Sequence, residues 1–347
     1  MPALTAPVLA QIAVTTLENF RRGPSAPQAE QEAPTYAALM KAKKAMAFTK
    51  GVVSILVRGP DAQIGEGWEG NDTLNFTNPT NGVRANYPRF LEHSGLTLNY
   101  DELLRAGLTL VDSSKLDGAT PLADSDMARL ANLLDEKNEQ FLQGHNERRY
   151  RLAWGDGTGD PKSFAGIPAY VSITPNVGVV GGIDRSVAGN SWWRNRAPAA
   201  VTANAATQPM ILLMQKEIRQ LRRYGGKPTL APCGGTFLEL LEQELFAKGI
   251  YTQMGFAQSQ GIDMSIADPR FKGIQLYYDP YLDEVGFDKR CYLIDPDKLF
   301  YAHDPNEFER MHTPDRSHEI MSVFASMTTS GGMVMKQGNA HGVLRYA

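Results

Sequence analysis

The chain has 347 residues, of which 42% are hydrophobic, and its 35 Lys and Arg against 38 Asp and Glu give a formal net charge of −3. That length can bury one large domain or roughly two or three small ones, at the composition of an ordinary globular protein. The charge balance argues against a general nucleic-acid binder, which carries dense basic patches to displace counterions, but leaves room for a protein that encloses DNA without gripping it.

Near the start, Leu9, Ile12, Ala13, Leu17 and Phe20 recur at helical spacing and predict a short amphipathic helix. Pro24 to Pro27 and on through Pro34 reads as an extended linker. A detached amphipathic helix on such a tether cannot bury its face alone, so it needs a surface on its own body or on a neighbour. The same N-terminal stretch lacks the basic flank of a signal peptide, and no run approaches the apolar length of a membrane span.

Residues 51–100 have β character. Val52 to Val57 and Val83 to Leu91 read as strands, separated by a polar stretch rich in Gly and Asn. Two strands around so long a connection predict a projecting hairpin, and long connections of this kind are functional or disordered. No lysine occurs anywhere in residues 51–100.

A long helix is expected over 125–152. Asp124 or Ser125 supplies the cap, and Met127, Leu130, Leu134, Phe141, His145 and Leu152 mark an apolar stripe that Leu133 and Leu142 widen. About 28 residues at roughly 1.5 Å each make a rod on the order of 40 Å long. From Pro209 the pattern turns α/β. Met210 to Leu221 predicts a helix ended by Gly225-Gly226, Thr229 to Ala231 a strand, and Thr236 with Glu239 a capping box for the next helix. Strands are expected at Ile274 to Tyr278 and Cys291 to Ile294. After a polar connection from His303 to Arg316, they return at Met321 to Met327, Met333 to Lys336 and Val343 to Tyr346.

Several motifs invite a chemical reading and fail on their own terms. Gly155 to Ser163 looks like a phosphate-binding loop, but Pro161 stands before Lys162, where a glycine N–H is needed. As a calcium loop the same stretch carries Pro161 and Ile167 where an EF-hand wants Gly and a bidentate Glu. His303, Asp304, His312, Asp315 and His318 crowd one loop at irregular spacing, and a surface polar loop is the better reading than a metal site. Cys233 and Cys291 lie in unrelated contexts outside any CxxC pair and read as small buried residues of a reduced protein. Arg219, Arg222 and Arg223 suit a helix C-terminus. Trp192-Trp193, beside Arg194 and Arg196, could stack on a base but read better as core anchors.

Set in order, these pieces resemble the major capsid proteins of tailed phages, with the Hong Kong ninety-seven-type fold. The resemblance rests on Trp154-Gly155-Asp156-Gly157-Thr158-Gly159, Ala165-Gly166-Ile167-Pro168, Gly181-Gly182-Ile183-Asp184-Arg185 and Ser191-Trp192-Trp193-Arg194-Asn195, following the long helix and hairpin. It implies an α+β fold with an N-terminal arm (1–46), an E-loop hairpin (47–100), and a peripheral domain (101–200 and 300–347) holding a spine helix (125–152). An axial domain would occupy 201–299, and Asp101-Glu102-Leu103-Leu104 would form the short turn after the hairpin.

The resemblance further implies intersubunit contacts at Leu9, Ile12, Leu17 and Phe20 of the arm and at Arg58, Glu66, Glu69 and Arg84 of the hairpin. Trp154, Asp156, Asp184, Arg185, Trp192 and Trp193 become fold anchors. It points to a non-enzymatic homo-oligomer of pentamers and hexamers around DNA, with no cofactor, no metal and no membrane. The partners would be a separate scaffolding protein, a portal and a decoration protein, in a virion assembled in the bacterial cytoplasm. Some relatives weld their shells through an E-loop lysine; without one, non-covalent contacts are expected here. An encapsulin-like nanocompartment shell is the alternative within this fold, and a hydrolase-like or ligand-binding α/β protein the alternative outside it.

Overall fold

The structure is a computed structural model that describes residues 3–5, 32–59, 67–73, 82–99, 109–111, 124–204, 206–246, 262–263, 270–316 and 322–347. The expected arm helix with Leu9, Ile12, Leu17 and Phe20, the turn at 101–104, Glu66 and His318 lie outside the described residues. The chain divides into two compact units, one of residues 1–30, 91–150 and 304–330, the other of 31–90, 151–303 and 331–347.

The larger unit is built on a six-stranded mixed sheet in the order Ile262–Asp263, Arg270–Phe271, Ile274–Tyr278, Leu230–Cys233, Arg290–Leu293, Gly342–Arg345. Its strands at 230–233 and 274–278 run parallel, as a helical crossover requires, and the remaining neighbours are antiparallel. Helices Pro209–Arg223 and Gly235–Phe246 bury Met210, Met214, Ile218, Phe237, Leu241 and Leu245 in one core with the sheet. Each such side chain contributes about 1.5–3 kcal/mol of transfer free energy.

Pro209 opens the first of these helices, and Gly225, at φ +77°, ends it. The second starts at Gly235, one residue before the anticipated Thr236 cap, because the Asp283 carboxylate takes the Gly235 N–H at 2.9 Å. Cys233 and Cys291, unrelated in sequence, are register partners on adjacent strands, and both are buried free thiols.

Three elements depart from expectation. Residues 34–45, assigned to the end of the arm, form the helix Pro34–Lys41 and the strand Lys44–Ala45; the helix buries Thr35, Tyr36 and Leu39, and the strand pairs with Ala302 and His303. The last strand, expected with the peripheral domain, instead joins the sheet of the region assigned to the axial domain, with Val343 opposite Tyr292 and Leu344 opposite Cys291, all buried. Ser322–Met335 is one strand where two were expected. Gly331 and Gly332 do not break it; a side chain at Gly331 would collide with Tyr301 and one at Gly332 would crowd Pro88, so the glycines allow close packing.

The smaller unit pairs the strand Arg310–Arg316, which replaces part of the expected polar connection, with the first part of Ser322–Met335, against which Phe90–Asn99 also pairs. A short parallel pair joins Ala3–Thr5 to Thr109–Val111. The long helix is Asp124–Ala153, within a residue of the expected bounds at each end. Among its described side chains in this unit, Asn138, His145 and Arg149 are buried, while Phe141 and Leu142 of the expected stripe are half-buried. Glu92 and Ser94, on the strand Phe90–Asn99, make this tolerable, meeting Arg149 at 3.2 Å and His145 at 2.8 Å.

Candidate functional site

The hairpin at 52–88 is the first part of the candidate site. Val52–Arg58 and Gly82–Pro88 pair antiparallel with Val53 opposite Tyr87 and Val57 opposite Val83. Period-two alternation turns Val53, Val57, Ala85 and Tyr87 inward. At the root the Tyr87 hydroxyl donates to the Met335 carbonyl at 2.6 Å, and the Asn86 N–H to the Gly181 carbonyl at 2.9 Å. Gly181 sits at φ +61° with no space for a side chain, since a Cβ there would meet the Tyr87 ring at 2.8–2.9 Å.

Away from the root, the hairpin is left uncovered. Leu56 is 55% exposed, Val83 41% and Trp68, in the connection, 62%. Arg58, Glu69 and Arg84 are also exposed, with Arg84 the register partner of Leu56. The backbone at 69–72 folds into a local turn in which Asp72 Oδ2 accepts the Glu69 N–H at 3.1 Å.

The stretch after the long helix forms the frame beside this hairpin. Trp154 is buried, donates its indole N–H to Asp279, and packs on Tyr292 with ring centres 5.3 Å apart. Asp156 is exposed and organises the following turn by accepting both the N–H and the hydroxyl of Thr158, at 2.9 and 2.7 Å, which holds its carboxyl below the usual range. Asp160 does the same for Lys162 and Ser163, so the glycine-rich loop spends its polar groups on its own shape. Gly166 lies against the end of the long helix, donating to the Gly155 carbonyl at 2.9 Å.

Arg185 is buried, its pKa lowered by burial, and donates to the Tyr170 and Ala169 carbonyls at 3.1 and 3.4 Å, closing the end of the short helix Ile167–Tyr170. Asp184 is fixed in the next turn by the Ser186 N–H at 2.8 Å. Trp193 is fully buried and donates to the Val180 carbonyl at 3.0 Å. Trp192 is half-buried, packs edge-on against Trp193, and reaches Gly59, where a Cβ would stand 2.9 Å from the indole nitrogen.

Between the Leu56–Gly59 end of the first hairpin strand and this frame opens a cavity of about 850 Å³, for which the sequence pattern carries no local signal. Its described walls include Leu56, Arg58, Trp192, Arg194, Arg196 and Lys336, and no Asp or Glu is among the described residues that line it. Arg196 is paired bidentately with buried Glu217 at 2.8 and 3.1 Å, while Arg194 donates, among the described residues, to the neutral carbonyls of Arg185, Ser186 and Val187. Lys336 has its pKa lowered by burial and by Lys44 and Lys298. The only sequence signals for this cavity were the Trp-Trp-Arg-Asn-Arg run and the hairpin, and nothing local joins them.

The motifs with chemical appeal come apart. Among the described residues no group of three or more His, Cys, Asp or Glu is arranged to hold a metal. His312 is occupied by the Thr328 hydroxyl at 2.7 Å, and His303 lies in the strand Leu299–His303. Arg222 donates to the Lys272 carbonyl at 3.2 Å near the end of its helix.

No protein-family model matches the chain. No curated protein matches it either. Solved structures do. The cyanophage A-1(L) capsid asymmetric unit aligns with a TM-score of 0.57 over 92% of this chain and 94% of that one, at 13% identity. The capsid of Myoviridae phage XM1 aligns with a TM-score of 0.56 over 93% and 95%, at 12% identity. The chain has the α+β fold of these phage capsid proteins across nearly its whole length.

Proposed function

We propose that this chain is the major capsid protein of a tailed bacteriophage, a structural subunit forming pentamers and hexamers of an icosahedral shell around double-stranded DNA. The observation that carries this reading is the alignment with two phage capsid proteins over more than nine-tenths of each chain. The hairpin supports it. Leu56, Trp68 and Val83 expose apolar surface on a two-stranded ribbon, a liability in a monomer that symmetric neighbours would cover many times over. Repetition of modest contacts then makes the shell stable through multivalency. With no lysine in residues 51–100, the contacts are non-covalent.

On this reading the arm residues Leu9, Ile12, Leu17 and Phe20, with Arg58, Glu66, Glu69 and Arg84, contact neighbouring subunits. Scaffolding, portal and decoration functions belong to separate proteins, assembly takes place in the host cytoplasm, and the chain itself catalyses nothing. Negative-stain microscopy of the expressed protein, alone and with its scaffold, tests the proposal: uniform shells or capsomers are expected. A persistently monomeric particle with one saturable small-molecule site would sink it. Shells purified with an enzyme cargo rather than nucleic acid would redirect it to a nanocompartment.

A further inference from the structure

The chain has two cysteines, and the fold sets them face to face. Cys233 ends the strand Leu230–Cys233 and stands in register opposite Cys291 on the antiparallel strand Arg290–Leu293. Leu230 and Ile294, in the same register, exchange both backbone hydrogen bonds, at 3.2 and 2.8 Å, and the Gly234 N–H reaches the Arg290 carbonyl at 3.0 Å. Hydrogen-bonded and non-hydrogen-bonded pairs alternate along an antiparallel ladder, so the cysteines fall at a non-hydrogen-bonded pair. Such a pair holds its Cα atoms roughly 4.5 Å apart with both side chains on one face, within the span that a disulfide bridges. Both thiols are fully buried in the core of the larger unit, and Cys233 donates to the Ala231 carbonyl at 3.4 Å.

The seam between these strands joins the parallel part of the sheet to its antiparallel part. Beside Cys233 stands Pro232, which has no N–H to give to that seam. From this placement we infer that Cys233 and Cys291 form a redox-gated staple. The pair is reduced while the chain folds and assembles, and closes to a disulfide once the particle meets an oxidising medium. The timing rests on the shell reading; the bond itself does not. Cytoplasmic thiols keep such a pair reduced. Outside, a small-molecule disulfide is the oxidant: one cysteine thiolate attacks it, giving a mixed disulfide and one small thiol, and the other cysteine displaces the second. One Sγ–Sγ bond forms and the oxidant's S–S bond breaks. Two electrons and two protons leave the pair with the two small thiols. Burial makes the reaction wait on local opening of the strand ends, so closure takes hours. The bond then fixes the two strands beside the proline and narrows the unfolded ensemble.

The test uses the full-length chain expressed in a bacterial cytoplasm. One portion is lysed in denaturant with N-ethylmaleimide; the other is purified natively, held with oxidised glutathione, and then treated the same way. Both cysteines should be alkylated in the first portion and neither in the second, where a reducible bond joins their peptides within one chain. The oxidised protein should unfold roughly 5–10 °C above the same protein in reductant. Cys291→Ala should show no such difference, and the comparison of oxidised with reduced unaltered chain stands even if that variant misfolds. Thiols that stay alkylatable after oxidation, bonds only between chains, or equal midpoints overturn the staple, and closed shells in the same samples spare the shell reading. A disulfide already present at lysis overturns the timing. The intrachain bond with its full shift, in a protein that never assembles, upholds the staple and sinks the shell.

Discussion

The indole nitrogen of Trp154 donates to a carboxylate oxygen of Asp279 at 3.2 Å, and both side chains are buried. Asp279 also caps the helix Pro280–Glu284 by accepting the Tyr281 N–H at 3.1 Å. One carboxylate therefore ties the residue after the long helix to the end of the strand Ile274–Tyr278. Burial raises the Asp279 pKa, and the indole donor is among the groups that pull it back down.

Trp154→Phe keeps most of the apolar contact with Tyr292 but removes that donor from a buried acceptor. A loss of about 1–3 kcal/mol in unfolding free energy is expected, read from urea titration. An unchanged midpoint would mean that the hydrogen bond is replaced without cost.

Gly166 makes a sharper prediction. A Cβ at this position would lie 2.3 Å from the Ala153 carbonyl oxygen and 2.4 Å from that of Leu152, and neither backbone atom can swing aside. Gly166→Ala should cost at least about 3 kcal/mol. Gly155→Ala, whose Cβ would find its nearest neighbour at 3.4 Å, is the control and should stay within about 1 kcal/mol. Thermal unfolding of the two variants side by side decides it.

These residues also show how far the sequence could be read. The helices at 124–153 and 209–223 were legible because their apolar residues recur at helical spacing over several turns. The hairpin was legible because Val52 to Val57 and Val83 to Leu91 read as strands on either side of a polar connection. The helix Pro34–Lys41 was hidden because Pro34, its first residue, reads equally as the end of a proline-rich linker. Arg310–Arg316 looks polar and contains Pro314; its partner strand, not its own pattern, makes it a strand. The cavity was invisible because it is assembled from residues 56–59, 191–198 and 336–339, which no local period connects. Of the buried polar residues of the long helix, His145 stood in the expected stripe, whereas buried Arg149 was missed because Glu92 supplies its partner from elsewhere.

That buried pair gives a third prediction. Arg149 meets Glu92 at 3.2 Å and Glu309 at 3.5 Å, and its guanidinium lies 5.7 Å from the Phe308 ring centre. Burial raises the Glu92 pKa despite the nearby arginine, so the pair does not fully recover its desolvation cost. Arg149→Met alone strands a buried carboxylate and should cost about 3–5 kcal/mol. Adding Glu92→Leu should recover most of that loss, and a double-mutant cycle measures the coupling. Additive losses would show that the two groups act independently.

Acid sensitivity follows from two histidines. Burial, with Lys298 nearby, lowers the His341 pKa from 6.5 to about 3, and its Nδ1 accepts the Asp295 N–H at 3.2 Å. Burial, with Arg149 and Arg148, lowers that of His145 from 6.5 to about 4. Each folded value lies below the unfolded one, so the unfolded chain binds more protons and stability is lost as pH falls from 6.5 toward the folded values. The raised carboxyls Glu92, Glu244 and Asp279 work in the opposite direction. His341→Asn keeps an acceptor for the Asp295 N–H and removes the titration. It should flatten the stability loss between pH 6.5 and 5 by about 2 kcal/mol relative to the unaltered chain, at about 1.4 kcal/mol per pH unit. Parallel curves for the two proteins in urea titrations would reject the assignment.

The two ends of the N-terminal segment should behave differently when removed. Thr35, Tyr36 and Leu39 are buried in the larger unit, and Lys44 and Ala45 pair with Ala302 and His303. Deleting residues 1–41 therefore removes core side chains and should lower the unfolding free energy by several kcal/mol, at about 1.5–3 kcal/mol per large buried side chain. Deleting residues 1–31 spares that helix and, of the described contacts, removes only the pairing of Ala3–Thr5 with Thr109–Val111. If the arm serves neighbouring subunits, this shorter deletion should leave the chain folded, with a midpoint close to that of the full chain, while closed shells become scarce. Sedimentation of assembly reactions alongside thermal unfolding separates the effects. Normal shells from the shorter deletion would remove the arm from assembly, and a large fall in its midpoint would return the arm to its own chain's core.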